Sequence, residues 1–523
     1  MSIVNSSGGR RRPGWRAGVC AVALTLLAGC ELPAGDVAPA ERNVTDPAAL
    51  ERPGFGQVSF AAEKGHPLQA WTYRSTGFDP NSGPIWFLMH GQSRNADRYA
   101  RSGAWVAERH DALLVAIRFS DDWYPGSRYT TGLTRSGKAD SEAAAEGRWL
   151  PPEATPYGEV ERIFDAVRDA IGGQQQGYYL AGHSAGGQFT HRLLTFYPEN
   201  RVLRAVAINA GWYTLPSASD GDLHQLPYGL AGAPVDEGSA GNEAVRRRLL
   251  SRGLAVLVGE KDIQNPREDS RVRGTRQAMA QGESRFERGR FYVETAREEA
   301  KRLGVDSPWS FHIAPGAGHR ILETVDSAGY LLFAGQPAPC TPETDHDAAR
   351  KVVIAELLAD PPKGTGGDAN GDGERDPADD EFVELHNTGS RPVCLEGWSL
   401  GDADDPERHV FPLGDALEPG ERRVIFGGGI PTGSFGGSQV GRARGSKGFN
   451  LSNDGDVLTL RDAGGRVVQQ VSWGDCDGAK CADDHWKSAL DVAASLSRRA
   501  DGSWALSPRS APFTPGEPMR EGE

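Results

Sequence analysis

The sequence predicts two folded parts: an α/β domain whose mostly parallel sheet is covered by helices, then an all-β sandwich. Three observations carry this. At 523 residues the chain exceeds the ~250–300 residues at which a single hydrophobic core stops growing. Between residues 55 and 338, short apolar runs alternate with amphipathic helical stretches. Beyond Pro337 the helical signals nearly vanish, and the runs alternate apolar with polar residues.

The apolar runs of the first part are IWFLMH (85–90), LLVAIRF (113–119), YYLAGH (178–183), LRAVAINA (203–210), LAVLVGE (254–260) and WSFHIAP (309–315). They lack strict alternation, as strands buried on both faces do. Helical periodicity fills the gaps over 96–110, 156–171, 188–197, 243–250 and 286–303, which is the spacing of parallel crossover units. In the second part, EFVELHNTG (381–389), RRVIFGGG (422–429), DVLTLRDAGG (456–465) and RVVQQVSWG (466–474) read as half-buried strands ending in turn residues. The final residues, 481–523, are polar and Pro-containing and carry no clear periodicity.

Residues 1–30 read as an export leader. Arg10, Arg11, Arg12 and Arg16 precede an apolar run, Ala17 to Ala28, too short for the ~20 residues of a spanning helix. The run ends in LAGC, which resembles the bacterial lipobox and implies that Cys30 is the lipid-modified first residue of the mature chain. Residues 31–54, rich in Pro, Ala and charge, read as a tether. The expected location is extracytoplasmic, on a membrane of a bacterial envelope. A formal net charge of −14 argues against nonspecific binding to phosphate backbones, so no nucleic-acid partner is expected.

Export favours oxidised cysteines. With Cys20 in the leader and Cys30 at the anchor, four remain: Cys340, Cys394, Cys476 and Cys481. Cys476 and Cys481 bracket DCDGAKC, so a local bridge is expected there, leaving Cys340 for Cys394. Zinc is disfavoured because the spacing is not CxxC and no histidine pair accompanies it.

Chemistry concentrates at GHSAG (182–186), a G-x-S-x-G between a buried strand and a helix. A serine hydroxyl needs a base and an acid to orient that base. LAVLVGEKD supplies Asp262 beyond one strand, and PGAGHR supplies His319 beyond the last. Glu260 and Asp269 are competing acids, and His183 and His191 competing imidazoles, but each is less well placed in that order. The tetrahedral oxyanion needs two N–H donors, for which Ala185 and Gln92, in HGQSRN, are the candidates. Trp123, Tyr124, Tyr129 and Trp212 could either line an apolar cleft or pack beneath a loop.

HGQSRN, GHSAGG, GEKD and PGAGHR, in this order, resemble the α/β-hydrolase fold and, within it, secreted esterases related to polyhydroxybutyrate depolymerases. The resemblance implies ester hydrolysis through an acyl-enzyme, with no cofactor, on small or polymeric esters that include polyesters and feruloyl esters. A surface adhesion or scaffold protein with a silent hydrolase domain is the alternative.

In the second part, Asp368, Asn370, Asp372, Gly373, Asp376 and Asp379 fall at the spacing of a calcium loop, with Asp in place of the usual final Glu and a strand following. The loop is therefore a candidate for Ca2+, with a solvated acidic turn as the competing reading. The surrounding run, 351–475, with EFVEL-N-G and L-GW-L-D, resembles the lamin-tail domain, an immunoglobulin-like sandwich. That resemblance implies a binding or attachment module over 339–480. GGGIPTGSFGGSQVG (427–441) lacks the GK[ST] of a phosphate loop and reads as an interstrand loop.

Overall fold

Wholly apolar runs need cover on both faces, and the structure supplies it. The computed structural model describes residues 42–62, 66–131, 150–218, 221–233, 239–334, 340, 346–402, 404–444, 448–475, 481–490 and 493–519. The leader with Cys30, most of the tether, Cys476 and residues 132–149 lie outside the described residues. Among those described, no helix is long and apolar enough to cross a membrane.

The first sheet contains nine strands: β1 (Arg42–Val44), β2 (Gly54–Ala62), β3 (Leu68–Arg74), β4 (Ile85–Met89), β5 (Leu113–Arg118), β6 (Tyr178–His183), β7 (Val202–Ile208), β8 (Leu254–Gly259) and β9 (Ser310–Ala314). Their order is β1-β2-β3-β5-β4-β6-β7-β8-β9. Strands β1 to β3 meet their neighbours antiparallel, and the six from β5 to β9 are parallel. All five residues of β4 are buried, as its unbroken apolar run requires.

Helices α1 (Ala96–Arg109) and α6 (Ile321–Gly329) cover one face, sharing a core with Trp86, Leu88 and Val206. On the other lie α2 (Pro156–Ala170), α3 (Ala185–Phe196), α4 (Glu243–Ser251) and α5 (Arg285–Leu303), packed on Phe87, Val115 and Val256. Helix α5 starts at a capping box formed by Ser284 and Glu287, and Gly304 stops it in the left-handed region at φ 66°. This is the α/β-hydrolase arrangement.

The second part is a β-sandwich. One sheet orders Gln439–Arg442, Arg422–Phe426, Phe382–Asn387, Val352–Leu358, Leu496–Arg498 and Trp504–Leu506. The facing sheet orders His409–Val410, Ser399–Gly401, Gly455–Arg461, Val467–Gly474 and Asp484–Trp486. Ile354, Leu385 and Ile425 from the first meet Trp398, Leu460 and Trp473 around one core. Both parts belong to a single compact unit, Pro39–Glu523.

The fold extends beyond the expected boundaries at both ends. Residues 42–44, inside the expected tether, pair with β2 at the sheet edge. In the polar C-terminal stretch, Leu496–Arg498 and Trp504–Leu506 complete the first sandwich sheet, while Asp484–Trp486 edges the second. Polar contacts fix this stretch. Ser495 Oγ donates to Glu356 at 2.6 Å, Thr514 donates to both Glu356 oxygens, and Gly516 N–H donates to Glu384 at 2.6 Å. Leu490 and Leu496 add to the sandwich core, but strands of three residues are too short for an apolar period to stand out.

Candidate active site

Ser184 stands between β6 and α3, with φ 58° and ψ −114°. A non-glycine residue in this region is strained and persists only where its surroundings dictate it. The neighbouring glycines show how they do so. A Cβ on Gly182 would lie 2.2 Å from the carbonyl oxygen of Gly186, and one on Gly186 would lie 2.2 Å from that of Met89. The G-x-S-x-G pattern is thus a packing requirement of α3 against β4 and β6. Ser184 N–H donates to Ile208 O at 2.8 Å, which fixes the turn to β7.

The fold brings His319 and Asp262 to this serine. His319 Nδ1 lies 2.8 Å from Asp262 Oδ2, and its Nε2 lies 3.2 Å from Ser184 Oγ. With Nδ1–H donating to the carboxylate, Nε2 is free to accept the serine proton. Asp262 is fully buried, and its other oxygen receives Nη1 of buried Arg285 at 2.9 Å. No sequence pattern pointed to Arg285, because it sits on α5, 23 residues beyond Asp262.

The loops that carry the acid and the imidazole are tied together at their roots. Gly259 must be glycine because a Cβ there would lie 2.4 Å from Gly318 O. Asn209, at φ 47°, accepts Gly259 N–H at 2.8 Å and donates to Gly318 O at 3.0 Å. Glu260 accepts Gly316 N–H at 2.8 Å, bracing the PGAGH loop. Asp269 pairs with Arg271 at 2.8 Å and, more loosely, with Arg285. Both alternative acids therefore hold scaffold contacts.

The alternative imidazoles are also engaged or enclosed. His183 is buried, takes Tyr99 Oη at 2.8 Å, and is held well below the usual histidine range by burial. His191 is packed against Tyr213 and Tyr292, neutralised by the same cause.

Ala185 N–H is in the first turn of α3, where helix amides lack intrahelical acceptors. Gln92 is exposed and lines the same cleft as Ser184 and His319. Its loop is held by His90. That ring accepts Phe119 N–H at Nε2, 3.1 Å away, so Nδ1–H donates to Gly91 O at 2.9 Å. Burial, aided by the charge of Arg94, lowers the His90 pKa to about 3 and keeps the ring neutral for this role. Gly91 leaves room for Tyr99 Oη, which a Cβ would meet at 2.8 Å.

The aromatic residues are packing elements. Tyr124, Tyr129 and Trp212 are buried, Trp123 is exposed beside His66, and none of the four lines the cleft.

The acidic loop of the sandwich is a series of short turns. Asp368 accepts Gly373 N–H at 2.9 Å, Asp372 accepts Glu374 N–H at 3.0 Å, Asp376 accepts Ala378 N–H at 2.8 Å, and Asn370 accepts Asp372 N–H at 3.0 Å. Asp379 is pushed above its ordinary range by burial and by Asp376 and Asp372. Among the described residues no group of three or more His, Cys, Asp or Glu side chains is gathered as a metal site. Cys340 and Cys394 form a disulfide. Cys481 is also disulfide-bonded, and its expected partner Cys476 lies outside the described residues.

The family model of the lamin tail domain matches residues 346–475. The chain carries a lamin tail domain behind an α/β-hydrolase fold. The lamin tail match ends before the last three strands of the sandwich. The hydrolase half is similar to poly(aspartic acid) hydrolase-1 from Sphingomonas sp. KT-1, at 31% identity over 54% of this chain and 99% of that one, with a TM-score of 0.48. It is also similar to LpqC, a poly(3-hydroxybutyrate) depolymerase from Bordetella parapertussis, at 30% identity over 55% and 93% of the two chains, with a TM-score of 0.48. A fluorophosphonate-binding serine hydrolase, FphF of Staphylococcus aureus, matches at 16% identity over 54% and 98%, with a TM-score of 0.34. Among curated proteins, an apolipoprotein N-acyltransferase of Pseudomonas putida is 32% identical over 69 residues, which are 13% of this chain and 12% of that protein's length.

Proposed function

We propose that the protein is an exported serine hydrolase that cleaves carboxylic esters through Ser184, His319 and Asp262. The observation that carries this reading is the single imidazole that bridges Ser184 Oγ and a buried carboxylate. In the reaction, Ser184 Oγ attacks the ester carbonyl as its proton passes to His319 Nε2. The oxyanion faces the N–H groups of Ala185 and Gln92. His319 then protonates the departing alcohol, leaving an acyl-serine. Water attacks this ester while His319 takes its proton, and the same imidazole returns a proton to Ser184. Asp262 orients the ring and stabilises its charged form, and no cofactor takes part.

The test is hydrolysis of p-nitrophenyl acyl esters by the mature chain. Ser184→Ala should lower kcat by about 10⁴-fold or more while leaving the thermal transition in place. Full activity in that variant would sink the assignment. Failure of a fluorophosphonate probe to label wild-type protein would favour a scaffold with a silent hydrolase domain.

Two further parts of the reading rest on the sequence. The LAGC motif supports lipid attachment at Cys30, and the Cys340–Cys394 disulfide fits an oxidising compartment. Cys30→Ser should move the protein from the membrane fraction to the soluble one; unchanged fractionation would remove the anchor. The Asp368–Asp379 loop is proposed to take Ca2+, which would relieve the repulsion felt by Asp379. Calcium should raise the Tm of the full chain and chelation reverse it, and a flat response would remove the ion.

A further inference from the structure

The chain is acidic, with a formal net charge of −14, yet the cleft around Ser184 has the opposite character. This cleft, ≈270 Å³, is lined by Arg98, Arg271, Arg285 and Arg320 and by no carboxylate. Its apolar lining is thin, with Ile321 and Leu322 as the aliphatic side chains.

The four guanidiniums are not equally committed. Arg285 is buried and neutralised by Asp262. Arg271, whose side chain is 77% exposed, is paired with Asp269 at 2.8 Å. Arg320 is 56% exposed and only 3.5 Å from a Glu323 oxygen, while the other oxygen of that carboxylate takes Gly318 N–H at 2.7 Å. Arg98 is exposed, and its guanidinium has no hydrogen-bond or ion-pair partner among the described residues. Two cations with spare donors thus face the cleft from different walls, one on α1 beyond the Gln92 loop and one next to His319. A guanidinium fork matches a carboxylate in shape and charge, and an unbalanced positive rim draws anions toward the mouth.

We propose that the preferred substrate is an anionic ester, in which a carboxylate elsewhere on the molecule is held by Arg98 and Arg320 while the ester carbonyl lies at Ser184. This rests on the esterase reading of the same site and adds the charge of the substrate to it.

The experiment compares two esters of equal chain length with the full mature protein, p-nitrophenyl hexanoate and mono-p-nitrophenyl adipate, after subtracting spontaneous hydrolysis. At low ionic strength kcat/KM for the adipate should exceed that for the hexanoate by about tenfold. That ratio should shrink as salt rises from about 20 mM to about 500 mM. Arg98→Gln and Arg320→Gln should each reduce the ratio by several-fold, and the double variant should bring it to about one. Both positions are exposed, and thermal melts check that the variants fold. The salt series on wild-type protein tests the same point without any substitution. Turnover of hexanoate with no preference for adipate, or a preference insensitive to salt and to both substitutions, overturns the inference and leaves the esterase reading standing. No turnover of either ester overturns both.

Discussion

The two sides of the site are built differently. Ser184 is held within the first fold, by α3 packed on β4 and β6 so closely that Gly182 and Gly186 admit no side chain. Asp262 and His319 stand on loops that also touch the lamin tail domain. Arg444 Nη1 donates to Pro315 O at 2.7 Å, and a Cβ on Gly316 would lie 3.1 Å from Val410. Next to Asp262, Lys261 is paired with Glu407. Nearby, Leu413 N–H donates to Ser327 Oγ at 3.2 Å. The geometry at Ser184 is therefore a local steric consequence of its glycines. The geometry of Asp262 and His319 depends on the loops after β8 and β9 and on what is packed behind them.

The sharpest way to break this comparison is at Arg285. Arg285→Gln strands the buried Asp262 carboxylate without its cation, so stability should fall by about 3–5 kcal/mol and kcat with it. Chemical denaturation and ester turnover read the two effects, and Arg285→Lys should recover part of each. A variant as stable and active as wild type would show that Asp262 does not depend on this pair.

A smaller effect is expected at the domain contact. Arg444→Ala removes the donor to Pro315 O, and a slight displacement of the imidazole should lower kcat by about 2- to 10-fold, well short of the ~100-fold cost of an ångström. KM should change less, and Arg444→Lys should restore part of the rate. An unchanged kcat would mean that the sandwich does not set the His319 loop.

A third effect concerns pH. The sandwich buries Glu381, whose pKa rises to about 8, chiefly through desolvation, from an ordinary 4.5. Because the folded pKa lies above the unfolded one, the folded state retains the proton between these values. Its stabilising contribution is present in acid below 4.5 and is lost as pH rises toward 8. The slope from this one group cannot exceed ~1.4 kcal/mol per pH unit. Denaturation midpoints measured from about pH 5 to about pH 8 should therefore decline less steeply in Glu381→Gln than in wild type. Equal slopes would place the titration elsewhere.

Much of the fold was legible because buried parallel strands must be apolar on both faces, as IWFLM is, and because Gly-x-Ser-x-Gly is a steric statement about one tight turn. Ser184, Asp262 and His319 were found after β6, β8 and β9 because the resemblance to α/β-hydrolases implies that order. The C-terminal strands were not legible, since each is only three residues long and contributes one or two apolar side chains, such as Leu496, Trp504 and Leu506, to a core shared with distant strands, while Glu356 and Glu384 supply the polar anchors.

The sequence by itself determined the layers and the tight turn at Ser184, because local periodicity and glycine sterics are written along the chain. Only the tertiary structure decided that Arg285 faces Asp262, that Arg98 and Arg320 share a cleft, and that Arg444 reaches Pro315. Each of these joins residues far apart in sequence, and charge carries no periodicity that would reveal its partner before the chain is folded.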